Sequence, residues 1–509
     1  MLSVIFTLIT AFSIFSAFKP ARAAWIGETI YIKANGSIEP SNAPITTKDK
    51  KTYTLTGDIK TTGDGIVVGR NNIILDGNGH IITGTKMDVT SAGILIEERK
   101  KVTIKNFKIE NFRVGIELLN SSNNIVTENM IFNNVCGIYL NFSYDNAITE
   151  NSIANNEWGI IPSFSFGNRI IRNVFSKCGL LVLDSLSNTF RDNLVNGRPL
   201  VYLENARDVV VKDAGQVVLV RSKRVRVENS NLSNTTVGVQ LWQSKKCIIV
   251  NNTITNNMIG IRLDDSRGNT ITGNTISYNQ WYGISLSGSS GNRIFLNNFI
   301  NNRRQVYPDK AKNSWDDGSR GNFWSDYTGE DRDNDGIGDV PYIIDKRNVD
   351  RRPLILYEIE ASSPYGTVHG SGWYMKGSKA TVSVSPAVVE DSFSCYFFEG
   401  WLVDGKLVST SPEYSFIVEK PLILTASWKK TTRVEEGTRI IGEEERLREM
   451  EEELERVKGY LSKLEEIREK GIISAYAYET LKKEYQAKIE QLENELKNIR
   501  KMQSKANNS

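Results

Sequence analysis

Gly93-Ile94, Gly115-Ile116, Gly137-Ile138-Tyr139-Leu140-Asn141 and Gly159-Ile160 recur at intervals of 22 residues. The series resumes at Gly260-Ile261-Arg262-Leu263-Asp264 and Gly283-Ile284. A second column, Asn129, Asn151 and Asn173, keeps the same interval and continues through Asn229, Asn252, Asn274 and Asn297. Short β-rich pieces such as Val102-Thr103-Ile104 and Thr270-Ile271-Thr272 lie between the columns, and nothing from Ile66 to Phe299 has a helical period. A unit this short cannot bury its own apolar face, whereas stacked units can. Period 2 sends the Ile and Leu of each unit inward and Tyr139 or Arg262 outward. The expected fold is therefore mainly β, a right-handed parallel β-helix of about ten coils. The Asn column suits left-handed turn positions, and its side chains can stack into hydrogen-bonded ladders. The pattern falters between Gly197 and Gly238, where irregular coils are expected.

Working outward, residues 1–23 read as an export signal. Leu2 to Phe18 is apolar and Ala21-Arg22-Ala23 precedes Ala24 as a cleavage motif, although no basic residue comes before the apolar run. A retained N-terminal anchor is the alternative, and no other segment could span a bilayer. The location implied is extracellular, at the cell surface or in a periplasmic-type space. Cys136 and Cys178 sit two repeats apart, roughly 9.6 Å at strand spacing, too far for a disulfide, so free thiols are expected. Lys and Arg number 63 against 60 Asp and Glu, and a net charge of +3 argues against nucleic acid as the partner.

The β-helix region is taken as 24–355. Residues 356–430 alternate in short strands, among them Lys379-Ala380-Thr381-Val382 and Leu422-Ile423-Leu424-Thr425, and read as a small β domain. Residues 431–509 hold a charged linker and a helical tail. Its seams are Leu447, Met450, Leu454, Val457, Leu461, Leu464 and then Leu481, Tyr485, Ile489, Leu492, Leu496, Ile499, split at Gly471 with Ser474 as an N-cap. A helical hairpin and self-association through residues 443–503 as a coiled coil both fit.

Asn72-Ile73-Ile74-Leu75-Asp76-Gly77-Asn78-Gly79-His80, the Gly-Ile coils and Gly321-Asn322-Phe323-Trp324-Ser325-Asp326-Tyr327 resemble the NosD-like and carbohydrate-binding/sugar-hydrolase (CASH) family of β-helix repeats. The resemblance covers residues 26–355 and implies the fold. That family mixes binding proteins with glycan lyases, hydrolases and epimerases. NosD proteins imply a periplasmic accessory role in copper-site maturation, but the β-helix here holds a single histidine, His80. Phe398-Glu399-Gly400-Trp401 and Thr425-Ala426-Ser427-Trp428 resemble the bacterial (internalin B-type) repeat. Lys470-Gly471-Ile472-Ile473-Ser474 with Tyr478-Glu479-Thr480-Leu481-Lys482 resembles a SHOCT-type tail.

Chemistry-bearing residues are few. Asp331, Asp333, Asp335, the Ile337 carbonyl and Asp339 match the start of a calcium loop, with oxygen ligands on alternating residues around Gly336 and Asp345 or Asp350 to close the shell. Calcium is the cofactor expected, and a solvated acidic turn is the alternative. Asp264-Asp265 could supply a carboxylate pair for glycoside hydrolysis, but Asp264 shares its repeat position with Asn141 and Ser287, which points to a turn role. His80 and His369 lack visible partners. Arg221, Lys223, Arg224 and Arg226 form a basic cluster, either a solvated face or a patch for an acidic glycan or other anionic polymer. Trp242 and Trp281 are candidates either for sugar platforms or for packing, while Trp158 and Tyr282 occupy a packing column. The function expected is an exported binding or scaffold protein that engages carbohydrate or an envelope polymer along the β-helix face. A glycan-active enzyme and a purely architectural envelope protein are the alternatives.

Overall fold

A computed structural model describes residues 24–85, 91–309, 311–390 and 394–432, and helical positions between 450 and 468 and between 482 and 497. The proposed signal segment lies outside the described residues. From Trp25 to Trp324 the chain winds into a parallel β-solenoid of about 12 turns. That exceeds the ten counted from glycine anchors because the first turns, at Ile30–Ile32, and the last, at Val306–Tyr307, carry no Gly-Ile pair.

Each regular coil contributes three short strands, one to each of three parallel sheets. The glycine column exists because coils touch there: a Cβ on Gly93 would lie 2.6 Å from the Gly115 carbonyl oxygen, and one on Gly115 would meet Gly137 at the same distance. The asparagine column forms the ladder. Asn129 Nδ2 donates to Asn151 Oδ1 at 3.0 Å, and Asn151 Nδ2 to Asn173 Oδ1 at 3.0 Å. The run from Asn252 through Asn274 and Asn297 to Asn322 repeats the pattern. The left-handed backbone, however, falls one residue earlier, at Glu128, Glu150 and Arg172. Asn229 is itself left-handed, and Ser230 takes the ladder position, its N–H donating to Asn252 Oδ1 at 3.0 Å. The buried asparagines serve to satisfy backbone groups at the corners, a complete accounting that a dry core requires.

The irregular stretch is a jog between two stacks. Asn196 and Gly197, both left-handed, turn Leu194-Val195 back on Arg198-Pro199 as an antiparallel hairpin. Two separate apolar cores result, one centred on Ile94, Ile116 and Ile138, the other on Val239, Ile261 and Ile284. Residues 180–183 of the first stack lie over the outer face of the second. Gln216 meets Leu180 through both amide atoms (N–H to Oε1 2.8 Å, Nε2 to C=O 2.7 Å), and Gln240 meets Val182 likewise at 3.0 and 2.7 Å. Val218, Val220 and Trp242 pack there with the first core. Trp242, read from sequence as a possible sugar platform, is therefore buried at 6% exposure and cannot serve.

The end of the second stack is closed by Ile300, Phe323, Leu354 and Leu356 against Trp373 and Met375. Two compact units emerge. One spans the chain up to Ile359 with Gly372–Ala380 and Phe416–Pro421; the other holds Glu360–Ser371, Thr381–Ser415 and the chain from Leu422. In the second, Ser394–Val403 pairs antiparallel with Leu422–Thr432 around the buried Trp401. In the tail, Leu454, Val457, Leu492 and Leu496 form one buried cluster. Gly471, Ser474, Leu447, Leu481 and Ile499 lie outside the described residues.

Candidate functional site

The strands Gln216–Val220, Val237–Trp242, Ile259–Asp264, Tyr282–Ser287 and Val306–Tyr307 stack in register, which aligns Val218, Gln240, Arg262, Ser285 and Tyr307 on the outer face. The jog covers the first two. The last three stay accessible and floor a groove of about 590 Å³. Its chemistry comes from Arg262, Asp264, Trp281, Tyr282, Tyr307 and Asp309. Trp281 is 36% exposed and stands edge-on to Trp158, with ring centroids 5.3 Å apart. Tyr282 and Tyr307 lie 4.9 Å apart, and the Arg304 guanidinium sits 5.4 Å above the Tyr307 ring. Arg262 Nε donates to Asp264 Oδ2 at 2.7 Å. The Asp309 carboxylate accepts the Gly288 N–H. Aromatic faces beside fixed polar groups suit a ligand with apolar C–H faces and hydroxyl edges.

Several expectations change here. Asp264 ends a strand and lines the groove, while Asp265 is the left-handed turn residue. Tyr282 packs and lines at once: it is half-buried against Leu181, Val237 and Ile259. Arg262 was legible as outward-facing. Tyr307 and Asp309 were not, because they follow the last Gly-Ile anchor.

The basic cluster divides. Arg226 pairs with Glu228, which also receives Lys212 Nζ at 2.9 Å. Arg224 forks onto Asp208 at 2.5 and 2.6 Å. Acidic partners thus neutralise two of the four, Glu228 from two residues on and Asp208 from the preceding coil. Arg221 Nε donates to Gln243 Oε1 at 2.9 Å, and Lys223 makes no ion pair among the described residues.

Asp331, Asp333 and Asp335 bring one carboxylate oxygen each within 4.8 Å of one another. Asp331 Oδ1 accepts the Asp335 N–H at 3.1 Å, Asp335 Oδ1 the Ile337 N–H at 2.8 Å, and Asp339 Oδ2 the Arg332 N–H at 2.8 Å. The Lys376 ammonium reaches Asp331 at 3.4 Å and also meets Asn334. Neither residue expected to close the shell does so. Asp345 caps its own turn through the N–H groups of Arg347 and Asn348. Asp350 is buried and accepts from Asn322 N at 2.7 Å, Trp324 Nε1 at 2.9 Å and Arg352 N at 3.0 Å. Burial outweighs those donors and pushes its carboxyl up to about 6.

His80 Nδ1 lies 2.9 Å from Asp58, outside the groove. All four cysteines are free thiols. Burial pushes Cys136 well above the ordinary thiol range, and Cys178 up to about 11.

A family model described as periplasmic copper-binding protein (NosD) matches residues 22–198 and 176–329, more than half the chain. A Pseudomonas aeruginosa protein named probable ABC transporter binding protein NosD is 54% identical over 71 residues, 14% of this chain and 16% of that protein. Its Stutzerimonas stutzeri namesake is 49% identical over the same length and shares. The chain thus matches less than a fifth of these relatives' length. Among solved structures, the A-module of an Azotobacter vinelandii mannuronan C-5 epimerase is 16% identical with a TM-score of 0.26, covering 58% of this chain and 90% of that one. The catalytic domain of a GH87 alpha-1,3-glucanase gives 15% and 0.27, covering 57% and 62%. Scores this low carry no argument about activity. No helix among the described residues is long and apolar enough to cross a membrane.

Proposed function

Since the chain belongs to the NosD family of periplasmic β-helix proteins, we propose that it is an exported binding protein that holds carbohydrate on the open face of its second stack. The observation that carries this reading is the groove itself. Three exposed or half-buried aromatic rings and the Arg262–Asp264 pair stand where the outward column escapes its cover. A sugar ring laid on Trp281 or Tyr307 would exchange water for an aromatic face, while Asp264, Asp309 and Arg262 address hydroxyls. Catalysis is the competing reading, because Asp264 and Asp309 both line the groove. A general acid must present a protonated carboxyl to the leaving oxygen, and Asp264 is instead tied to Arg262. A glycan array run beside a reducing-end assay separates the two. Binding without product supports the proposal; product formation that Asp264→Asn abolishes replaces it with an enzyme.

Copper, after which the family is described, does not suit the donors present. Copper favours thiolate, thioether and imidazole. Here Cys136, Cys178 and Cys247 are buried with thiols pushed upward by desolvation, and His80 is engaged by Asp58. Among the described residues, the cluster of His, Cys, Asp or Glu within ligating distance is all-oxygen, Asp331, Asp333 and Asp335. Such hard donors suit calcium or magnesium rather than copper.

A further inference from the structure

We propose that the edge of the second stack, where each broad strand ends, is a binding strip for a linear acidic polysaccharide, built on the column Arg207, Lys223, Lys245 and Arg267. These residues are joined by successive parallel bridges, Arg207 to Lys223, Lys223 to Lys245 and Lys245 to Arg267. Each is locked between two left-handed residues. Asn205, Arg221, Gln243 and Asp265 stand two positions before, and Asp208, Arg224, Lys246 and Gly268 one position after. Between them Ser222, Ser244 and Ser266 point inward and link the coils, N–H to Oγ, at 3.0 Å. The column is thus a rigid ladder of four cations at strand spacing, about 4.8 Å.

The charge in this strip exceeds what the whole chain would suggest. Residues 205–208, 221–224, 243–246 and 265–268 hold seven cations and two carboxylates, while the entire chain nets only +3. One of those carboxylates, Asp208, is already taken by Arg224. Arg207, Lys223, Lys245, Lys246 and Arg267 make no ion pair among the described residues. Like charges directly opposite one another on neighbouring strands are destabilising. Arg224 first, then desolvation, then Lys246, Lys245 and Arg207 hold the Lys223 ammonium below its ordinary range. The turn does not require a cation, because the matching column of the first stack runs Lys100, Ser122, Tyr144. Folding alone gives no reason for four stacked cations, whereas a polyanion would relieve their repulsion.

The geometry also selects among polyanions. A polyuronate carries one carboxylate per sugar ring, so its charges recur at a one-ring spacing of the same order as the strand spacing. Sites for single-stranded nucleic acid interleave cations with aromatic platforms, and none of the four turn segments contains an aromatic residue. The strip uses residues outside the groove, so it stands whether the groove holds a neutral sugar or nothing.

The experiment is a binding titration of the intact protein with sodium polygalacturonate, with neutral dextran and single-stranded DNA as comparators, at several salt concentrations. Polygalacturonate binding is expected to weaken with salt. It should fall several-fold to about tenfold in Lys223→Gln/Lys245→Gln, the worth of two exposed ion pairs. Arg226→Gln, at a residue already paired to Glu228, should leave it unchanged. Melting curves of the exposed double variant check that it remains folded. Binding unchanged in the double variant, or reduced as far in Arg226→Gln as in the double variant, overturns the strip. So does single-stranded DNA bound as tightly as polygalacturonate at equal salt.

Discussion

Replacing Gln240 with leucine tests how the two stacks are joined. Gln240 is fully buried, and its amide satisfies both backbone groups of Val182, the N–H at 3.0 Å and the carbonyl at 2.7 Å. Leucine keeps most of the bulk and neither bond. Two buried backbone groups then lose their partners, at about 1–3 kcal/mol each, so Gln240→Leu should cost about 2–6 kcal/mol. In a solenoid, stability is a sum of repeat and nearest-neighbour terms. Weakening one junction should therefore also split the unfolding transition, as cooperativity across the jog fails. Urea unfolding followed by tryptophan fluorescence reads both effects, since Trp242 is buried at the same junction. A shift under about 0.5 kcal/mol with a single transition, the size of an ordinary surface substitution, would refute the clamp.

Three further outcomes are expected. Asp350 holds its proton more tightly in the folded state (about 6) than at its ordinary carboxyl value of 3.8. The stabilisation it gives is full below pH 4 and lost as pH rises through 6, about 3 kcal/mol in all; Asp350→Asn should flatten that slope, and identical slopes would contradict it. The calcium expectation for Asp331, Asp333, Asp335 and Asp339 is checked by melting. Calcium at a hundredfold excess over Kd should add about 2.7 kcal/mol and do nothing in Asp333→Ala/Asp335→Ala, and an unmoved wild type removes the ion. Residues 443–503 expressed alone should be helical, and light scattering decides their state: a monomeric mass at every concentration sinks self-association.

The coil fold was legible because its two strongest signals, the Gly-Ile pair and the Asn column, each answer a physical need that recurs every turn. Glycine permits the close approach of successive coils, and asparagine satisfies buried corner groups. The Asn column makes the ladder that its pattern implies, but the left-handed backbone that Asn also tolerates falls one residue earlier, at Glu128, Glu150 and Arg172, which only the geometry shows. Trp242 illustrates a deeper limit. Period 2 correctly turns it away from the core of its own stack, but the jog brings residues 180–183 over that outer face, a contact between segments some sixty residues apart that no local pattern encodes. The groove was partly visible, through Trp281 and the outward Arg262. Tyr307 and Asp309 joined it only once strand register had been fixed. The same register converts an isolated basic run, Arg221 to Arg226, into a four-coil column whose members Arg207, Lys245 and Arg267 lie in separate repeats.

Titrating glycans against the intact protein by calorimetry tests the central claim most directly. Neutral oligosaccharides are compared in wild type, Trp281→Ala and Tyr307→Ala. Saturable binding of at least one sugar is expected, with each alanine variant losing about 1–2 kcal/mol of affinity as an aromatic anchor is removed. Equal affinity in all three proteins, or no saturable binding of any sugar by the wild type, would contradict a carbohydrate site on this face.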